Sequence, residues 1–381
     1  MKKILFLFLT VFLYAKEYVI TKYLTNRPSI FVEYNGPKEV KKILDMDFKV
    51  LDHFNLDSNS SIKFLFSYSK KDKTLEVKYL KNDNLILIKK YKSYSYAYFP
   101  FLVHRAVYDI NEYMNMPSAK FLIRKVIYSL LVAPKQANIY LADYTLSYKK
   151  RIITGGLNIF PKWANENQTE IYFTKYERLP VLYKYNLLTG KLTKILTSQG
   201  MLIVSDVKKD KLLLTLALKS QPDVYLLDLK TKKLLRITNY PGIDVNGKFW
   251  GKKVVFVSDR YGLPFVFSKD LSTGKVTRVL YHGKNQVGVD SYKNYLVISS
   301  RETDNSFKPN TFNLFLVNSN DDSLKRLTMR GQNMFPNFSV DGSSIMFIKR
   351  ENFFSKIGII RLEENKVFYY KLNKILQSFD W

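Results

Sequence analysis

A segment of about sixteen residues recurs along the chain, and this repeat limits the possible folds more than any other feature. The clearest copy runs from Asp223 to Thr238 and alternates apolar and polar residues on both sides of the turn Lys230-Thr-Lys232. Such alternation around a short turn is typical of a β-hairpin. Further copies, two of them close and three looser, occur at 181–196, 265–280, 138–154, 313–328 and 357–372.

The spacing of the hairpins indicates which repeat architecture they form. Equivalent aromatic residues are 43, 42 and 42 residues apart at Tyr140, Tyr183, Tyr225 and Phe267. A period near forty that is filled with strands, glycines and aromatic residues is the signature of propeller blades. Two more strands precede each hairpin, most clearly between Met334 and Lys349. The patterns therefore predict a mainly β chain with four strands in each blade.

The first and last segments of the repeat region predict how the ring closes. The first blade has three recognisable strands, at Lys125–Ala133, Asn138–Tyr144 and Lys149–Thr154, and lacks its innermost one. The segment Ile375–Trp381 follows the sixth hairpin and resembles the opening strands of the other blades. Its insertion into the first blade would pair edge strands that an open ring leaves exposed. We therefore expect a six-bladed β-propeller over residues 119–381, closed by the C-terminal strand.

Residues 29–118 predict a small α/β domain ahead of the propeller. A short helix is expected at Lys38–Leu44, followed by a strand at Phe48–Leu51. A second helix should carry Val103, Val107, Ile110 and Met114 on one face and end before Pro117. Three more strands are expected, at Ile62–Tyr68, Thr74–Leu80 and Leu85–Tyr91.

The N-terminus has the pattern of an export signal. Residues 1–15 begin with Lys2 and Lys3, continue with the apolar run Ile4–Tyr14 and end with the small residue Ala15. The run is shorter than the roughly 20 residues that cross a bilayer. We expect export of the protein and cleavage after this segment. The next segment, 16–28, alternates like a strand and could pair with the edge of a sheet.

Composition excludes some function classes and leaves others open. The chain has no cysteine, so no disulfide can form. The net charge of +28 raises nucleic acid or an anionic surface as a partner, but the lysines are spread along the chain, which favours a solvated surface and no nucleic-acid partner. A propeller that binds a polyanion or the cell wall remains an alternative. A less favoured one is the propeller of an exported peptidase-like hydrolase, which would need a further catalytic domain of about two hundred residues.

Chemically active groups are few, and the sequence predicts a protein that is not an enzyme and needs no metal or cofactor. The three histidines, at positions 53, 104 and 282, are not at ligand spacing. His104 and Asp109 are too far apart to share a helix face, so capping or domain docking is expected of them. Asp259 and Arg260 are expected to form an ion pair in a blade turn. Asp228 and Asp270 are expected to be structural turn residues.

Several motifs in this domain order resemble those of one family. They are the helix stretch His104–Met116 with the following Ala119–Tyr128, and the turns Ser258-Asp-Arg-Tyr-Gly262 and Ser339-Val-Asp-Gly342. Together with a signal peptide, a small α/β domain and six blades, they resemble the TolB family, the periplasmic propellers of the Tol-Pal system. The chain departs from the family pattern at Met114-Asn-Met116, where Leu-Thr-Gly is usual, and blades II to IV lack the Ser-Pro-Asp-Gly turn. Six residues match the family's helix motif: His104, Asp109, Phe121, Arg124, Ile127 and Tyr128.

The resemblance implies a non-enzymatic interaction protein. Members bind the lipoprotein Pal through the propeller and TolA through the extended N-terminus, and they support outer-membrane integrity and constriction at cell division. Other outer-membrane lipoproteins are further possible partners, so contact with membranes would be indirect. The resemblance implies that TolA is contacted by Tyr18 and Ile20. It implies a Pal site on exposed loops that enter the innermost strands, at Ile159, Gln199, Asp244, Gln286 and Asn333.

Overall fold

The computed structural model describes residues 27–218, 221–301, 311–321 and 323–381. The predicted signal peptide and the predicted TolA residues Tyr18 and Ile20 lie outside these ranges. Within them, the chain forms an N-terminal α/β domain and a six-bladed β-propeller, so the predicted fold class is confirmed.

The N-terminal domain is a five-stranded sheet with two helices. Its strands lie in the order β2-β1-β3-β4-β5, with β1 parallel to both of its neighbours and the last three antiparallel. The elements are β1 (Ser29–Asn35), α1 (Lys38–Leu51), β2 (Asn55–Leu56), β3 (Ile62–Ser69), β4 (Thr74–Lys81), β5 (Asn84–Lys92) and α2 (Phe99–Tyr113), with short 3-10 turns at Tyr96–Tyr98 and Lys120–Ile123. Neither α1 nor α2 is long and apolar enough to cross a membrane.

The first helix is longer than the sequence predicts. The expected strand at Phe48–Leu51 is wrong, because these residues continue the 3.6-residue period of the buried positions Val40, Ile43 and Leu44. The helix ends at Asp52, which adopts the left-handed conformation (φ 52°) and donates its N–H to the carbonyl of Phe48. Strand β1, where the sequence predicts no helix or strand, pairs with the central strand β3.

Each blade is a four-stranded antiparallel sheet. Blade 1 contains β6 (Val126–Ala133), β7 (Gln136–Ala142) and β8 (Lys149–Ile153); blade 2 is β9 (Leu157–Trp163), β10 (Glu170–Tyr176), β11 (Pro180–Asn186) and β12 (Leu192–Thr197); blade 3 is β13 (Leu202–Lys208), β14 (Lys211–Leu216), β15 (Asp223–Asp228) and β16 (Leu234–Arg236). Blade 4 is β17 (Asp244–Trp250), β18 (Lys253–Ser258), β19 (Phe265–Asp270) and β20 (Val276–Arg278); blade 5 is β21 (Asn285–Tyr292), β22 (Tyr295–Arg301), β23 (Phe312–Asn318) and β24 (Leu324–Arg326); blade 6 is β25 (Gln332–Phe338), β26 (Ser344–Arg350), β27 (Ser355–Arg361) and β28 (Lys366–Leu372).

The last strand of the chain, β29 (Leu376–Asp380), lies in blade 1. It pairs antiparallel with β6, with Phe379 opposite Tyr128 and Asp380 opposite Ile127. The first strands of blades 2 to 6 and β29 lie side by side around a central channel. Blade 1 is therefore built from both ends of the propeller sequence.

The two faces of the propeller differ in what they contact. The turns between the first and second strands and between the third and fourth strands form one face, which we call the docked face. The N-terminal domain contacts it at blades 1 and 6, through residues such as Asp143, Asp341 and Glu364. The connections between blades, and those between second and third strands, form the opposite face, which we call the distal face. One apolar core continues from α1 and α2 into blades 1 and 6.

Candidate partner-binding surfaces

The structure places four of the five residues predicted for Pal on innermost strands. Asp244, Gln286 and Asn333 are fully buried and Ile159 is 9% exposed, whereas Gln199 is exposed in the connection between β12 and β13. The expectation of exposed loop residues is thus wrong for four of the five, because the inner strands begin at or before these positions. Their role in binding Pal stays a prediction.

Two of these buried amides join neighbouring blades. Gln286 accepts a hydrogen bond from the backbone N–H of Val266 (2.7 Å) and donates to the carbonyl of His282 (2.9 Å). Asn333 donates to the carbonyl of Phe312 in the preceding blade (2.9 Å). A buried polar side chain that replaces a missing backbone partner satisfies groups that would otherwise be costly to bury. These residues therefore hold the blades together beneath the distal face.

Asp244 forms a buried ion pair with Arg260, for which the sequence predicts a different partner, Asp259. Both of its oxygens lie 3.1 Å from Nη2 of Arg260. The predicted Asp259–Arg260 pair is therefore wrong: Asp259 instead accepts a hydrogen bond from the backbone N–H of Ile243 (2.8 Å). Asp244 lies directly across the β17–β18 ladder from Ser258, which brings it close to the arginine two residues further along.

A ring of equivalent polar residues in the channel gives the correct alignment of the blades. One residue of each inner strand contributes to it: Lys162, Asp206, Lys248, Asp290, Asn337 and Asp380. Four residues before each of them lie Asn158, Leu202, Asp244, Gln286, Asn333 and Leu376. Ile159 and Gln199 are thus one and three residues out of register with the other predicted site residues. The Lys/Asp pattern was the sequence signal that could have corrected this.

The charges in the channel are paired within the ring. Nζ of Lys162 lies 2.6 Å from Oδ1 of Asp380, and Nζ of Lys248 lies 3.0 Å from Oδ1 of Asp290. Burial raises the pKa of Asp206, although Lys248 and Lys162 act in the opposite direction. The channel thus contains an internal salt-bridge network close to neutral in charge.

The inner strands of odd and even blades differ in their hydrogen bonds and backbone conformation, and the two kinds alternate around the ring. The aspartates of blades 1, 3 and 5 each accept a hydrogen bond from an inner-strand N–H of an even blade, with distances of 2.7 to 2.9 Å. The donors are Trp163, Phe249 and Phe338. In the even blades the inner strand also contains a non-glycine residue in the left-handed region, at Phe160 (φ 55°), Asn246 (φ 57°) and Phe335 (φ 52°).

The narrow part of the channel is small. Residues such as Phe160, Phe335 and Phe379 line a cavity of about 110 Å³, below the roughly 300 Å³ at which pockets for small-molecule ligands begin. Toward the docked face the channel opens into a wider mouth that contains acidic and basic residues, including the pair Lys184–Glu170 (2.8 Å). The narrow part therefore functions as a packed axis of the ring.

The distal face carries large apolar side chains in contact with water. Phe353 is 86% exposed, Tyr281 and Met329 are each 77% exposed, and Tyr261 is 65% exposed. Four more of the described residues belong to this group: Met201, Leu218, Ile243 and Leu263. All eight lie on connections between blades or between second and third strands. Exposed apolar residues grouped on one face, together with aromatic side chains, are typical of protein–protein interfaces.

His104 connects the two domains, as the prediction of domain docking required. Its Nδ1 lies 2.8 Å from Asp47 of α1, and its Nε2 lies 3.2 Å from Asp143 in the turn between β7 and β8. Burial disfavours the imidazolium, but the two carboxylates overcome this and raise the pKa of His104 to about 9. Tyr144 donates a hydrogen bond to Asp47 (2.5 Å). A charged histidine thus lies between carboxylates from both domains.

A second buried cluster at the same interface surrounds Arg361. Its Nη2 lies 3.0 Å from Oε1 of Glu364 and 3.1 Å from Nε2 of His53, and His53 also contacts Asn111 (2.6 Å). His53, Glu363 and Glu364 have ligand atoms close enough to share a metal ion. A divalent ion does not fit, because the guanidinium already supplies the positive charge next to two of these three residues.

Turn residues behave as the sequence predicted. The carboxylate of Asp228 accepts hydrogen bonds from the N–H groups of Lys230 and Thr231, at 2.9 and 3.0 Å. Asp270 makes the same contacts with Ser272 and Thr273, at the same distances. These aspartates stabilise turns between third and fourth strands.

Comparison with known proteins relates the whole chain to one family. Residues 125–352 match the family model described as the TolB beta propeller domain. The chain is 39% identical to the Tol-Pal system protein TolB of Wolinella succinogenes, over 95% of each chain. It is 38% identical to that of Helicobacter pylori strain 26695, over 99% of each chain, and 40% identical to that of Campylobacter jejuni strain RM1221, over 95% of this chain and 93% of the relative.

Solved structures agree with the fold. The structure of TolB from Acinetobacter baumannii superposes with a TM-score of 0.77 at 18% identity, covering 94% of this chain and 97% of that one. A putative TolB from Agrobacterium tumefaciens superposes with a TM-score of 0.51 at 14% identity, covering 66% of this chain and 90% of that one. The sequence identity to the curated relatives, which extends over both domains, shows that the chain belongs to the TolB family.

Proposed function

We propose that the protein is a periplasmic component of a Tol-Pal system and that its distal face binds the lipoprotein Pal. The observation that carries the proposal is the group of exposed apolar residues on that face, led by Phe353, Tyr281 and Met329. Family membership supports the choice of partner, since the relatives are named as Tol-Pal system proteins. The interaction requires no catalytic group and supports outer-membrane integrity and constriction at cell division.

The five predicted site residues take different roles in this proposal. Gln199 is the exposed member and would contact Pal directly. Ile159, Asp244, Gln286 and Asn333 lie beneath the surface, so they would act by fixing the blade connections that carry the exposed apolar residues. Substitution of a buried member should therefore weaken both folding and binding, whereas Gln199→Arg should weaken binding alone.

A pair of double variants tests the distal face. Tyr281→Ser with Met329→Ser removes two exposed apolar side chains from neighbouring blade connections, and we expect binding of purified Pal to weaken at least tenfold, about 1.4 kcal/mol. The matched control, Leu188→Ser with Leu271→Ser, removes exposed leucines from turns on the docked face. Calorimetric titration should show unchanged affinity for this control, and both variants should melt like the unaltered protein. Equal affinities for both variants would place the Pal site elsewhere.

We propose that TolA binds the segment 16–26, with Tyr18 and Ile20 facing the same side of an added strand. A protein that lacks residues 16–26 should lose TolA binding and keep its affinity for Pal. Retained TolA binding would leave that segment without a role in the interaction.

A further inference from the structure

Three neighbouring blades share a basic edge on the docked side of the propeller. We define the basic edge as residues 186–194, 228–236 and 270–278. They cover the turns between third and fourth strands of blades 2, 3 and 4 and the outermost-strand residues that follow these turns. These segments contain eight lysines and arginines and two acidic residues. The two acids, Asp228 and Asp270, direct their carboxylates at N–H groups of their own turns. The edge is therefore strongly positive.

Most of this charge has no counter-charge within the protein. Lys230 and Arg236 pair with Asp210 and Asp223. Within the part of the chain that the structure describes, the remaining lysines of the edge are exposed and form no ion pair: Lys191, Lys194, Lys232, Lys233 and Lys275. Their charges are free to interact with an external anion.

Exposed apolar residues lie among these lysines. Leu188 is 78% exposed, Leu235 is 50% exposed and Leu192 is 48% exposed. Leu271 and Val276 are exposed as well, in blade 4. A solvated lysine-rich surface does not require leucines at its turn tips. Their presence indicates a partner with an apolar layer beneath an anionic surface.

The other three blades do not repeat this combination. The corresponding turns of blades 1 and 6 contact the N-terminal domain through Asp143 and Glu364. In blade 5, the sequence of residues 319–323 has two aspartates and no lysine. The basic, leucine-bearing turns are thus confined to one sector of the ring, opposite the sector that the N-terminal domain covers.

We propose that the basic edge binds directly to the surface of an anionic phospholipid bilayer. The three turns are equivalent connections of adjacent blades, and the N-terminal domain contacts the same face at blades 1 and 6 instead. Lysines near an anionic leaflet each strengthen binding roughly fivefold, and leucines enter the boundary between headgroups and acyl chains. A soluble polyanion would be attracted by the lysines alone. The leucines therefore favour a membrane, and the contact is independent of any lipoprotein partner.

Vesicle sedimentation tests this proposal without Pal. The purified protein should sediment with vesicles of phosphatidylcholine that contain about a third of phosphatidylglycerol, and remain in the supernatant with pure phosphatidylcholine. Raising the salt concentration from 0.05 to about 0.5 M should weaken binding, because exposed charges are screened. Absence of sedimentation with anionic vesicles at low salt would overturn the proposal.

Two variants and a matched control locate the contact. Lys191→Glu, Lys232→Glu and Lys275→Glu together should reduce vesicle binding by at least tenfold. Leu188→Ser with Leu271→Ser should reduce it severalfold while leaving retention on a heparin column unchanged. The control reverses three exposed charges on blade 1, Lys149→Glu, Lys150→Glu and Arg151→Glu, and should keep most of the vesicle binding.

The outcomes separate the possible partners. Loss of binding in the lysine variant but not in the leucine variant would identify a polyanion surface and overturn the membrane assignment. An equal loss in the blade 1 control would show that net charge alone drives binding and would likewise overturn it. Loss of Pal binding in the distal-face variants bears on the proposed function only, because those residues lie on the opposite face.

Discussion

His104 of the N-terminal domain lies 3.2 Å from Asp143 of the propeller, measured from Nε2 to Oδ2. The histidine is fully buried, and its other nitrogen contacts Asp47. The contact joins the domains through a group whose charge changes with pH.

Stability should therefore fall as the pH rises from about 6.5 to about 9. The pKa of His104 is raised from 6.5 to about 9 in the folded protein, so its contribution is complete below the unfolded value and lost as the pH passes the folded one. The loss should be on the order of 3 kcal/mol. Urea unfolding at pH 6 and pH 9 measures it. His104→Gln should be less stable at pH 6 and show a much flatter dependence; an unchanged slope would contradict the assignment.

Ionisation of Glu363 should lower the stability of the protein over a second pH range, below that of His104. Burial, followed by repulsion from Glu364, raises its pKa from 4.5 to about 7. Below pH 4.5, Glu363 is protonated in both the folded and the unfolded protein. As the pH rises from 4.5 through 7, the free energy of unfolding falls, because the carboxyl ionises more easily in the unfolded chain. Glu363→Gln cannot ionise and should be more stable than the unaltered protein at pH 8, by about 1 kcal/mol after solvent screening. Thermal melts at pH 5 and pH 8 check this, since the two proteins should differ only at the higher pH.

Alanine variants of Asp244 and Asp259 form a matched pair that tests the buried ion pair beneath the distal face. Asp244→Ala leaves the guanidinium of Arg260 without its buried partner and should cost about 3 kcal/mol. Asp259→Ala removes one hydrogen bond to the N–H of Ile243 and should cost about 1 kcal/mol. Chemical denaturation of the two variants gives the difference. Equal losses would mean that Arg260 finds a new partner.

Asp380 and Asp206 occupy equivalent positions but should respond differently. Asp380→Ala breaks the 2.6 Å pair with Lys162 and the hydrogen bond from the N–H of Trp163, which should cost about 3 kcal/mol. Asp206→Ala removes hydrogen bonds from the N–H groups of Phe249 and Val207. It also removes a carboxylate that is costly to bury, so a net loss of about 1 kcal/mol is expected. Asp380→Ala should therefore unfold at a lower urea concentration than Asp206→Ala. A lower midpoint for Asp206→Ala would show that closure of the ring does not depend on Asp380.

The sequence was sufficient for the architecture because hairpins are local. Residues such as Asp228 and Thr231 interact across a few positions, so period, turn chemistry and blade number are visible in the order of residues. The predicted first helix ends too early because Phe48–Leu51, taken alone, has the composition of a strand. The helical period of these residues appears only when Val40 and Ile43 are included.

The contacts that define the candidate surfaces are non-local. Gln286 is buried because Val266 of the preceding blade offers an unpaired N–H, and no feature near Gln286 in the sequence reveals that. The partners of His104 are 57 and 39 residues away. The inner strands begin at or before Asp244, Gln286 and Asn333, so these residues are buried even though they are in register with one another. The register error of one and three residues at Ile159 and Gln199 is a separate one.

The position of β29 also fixes the order in which the molecule can be completed. Blade 1 lacks its innermost strand until Leu376–Asp380 pairs with β6, and the indole of Trp381 bonds to carbonyls of Asn337 and Phe338 in blade 6. The ring therefore cannot be finished before its final residues have reached the compartment where it folds. A variant shortened before Leu376 would leave the edge of β6 unpaired, and an unpaired edge strand can pair with other chains.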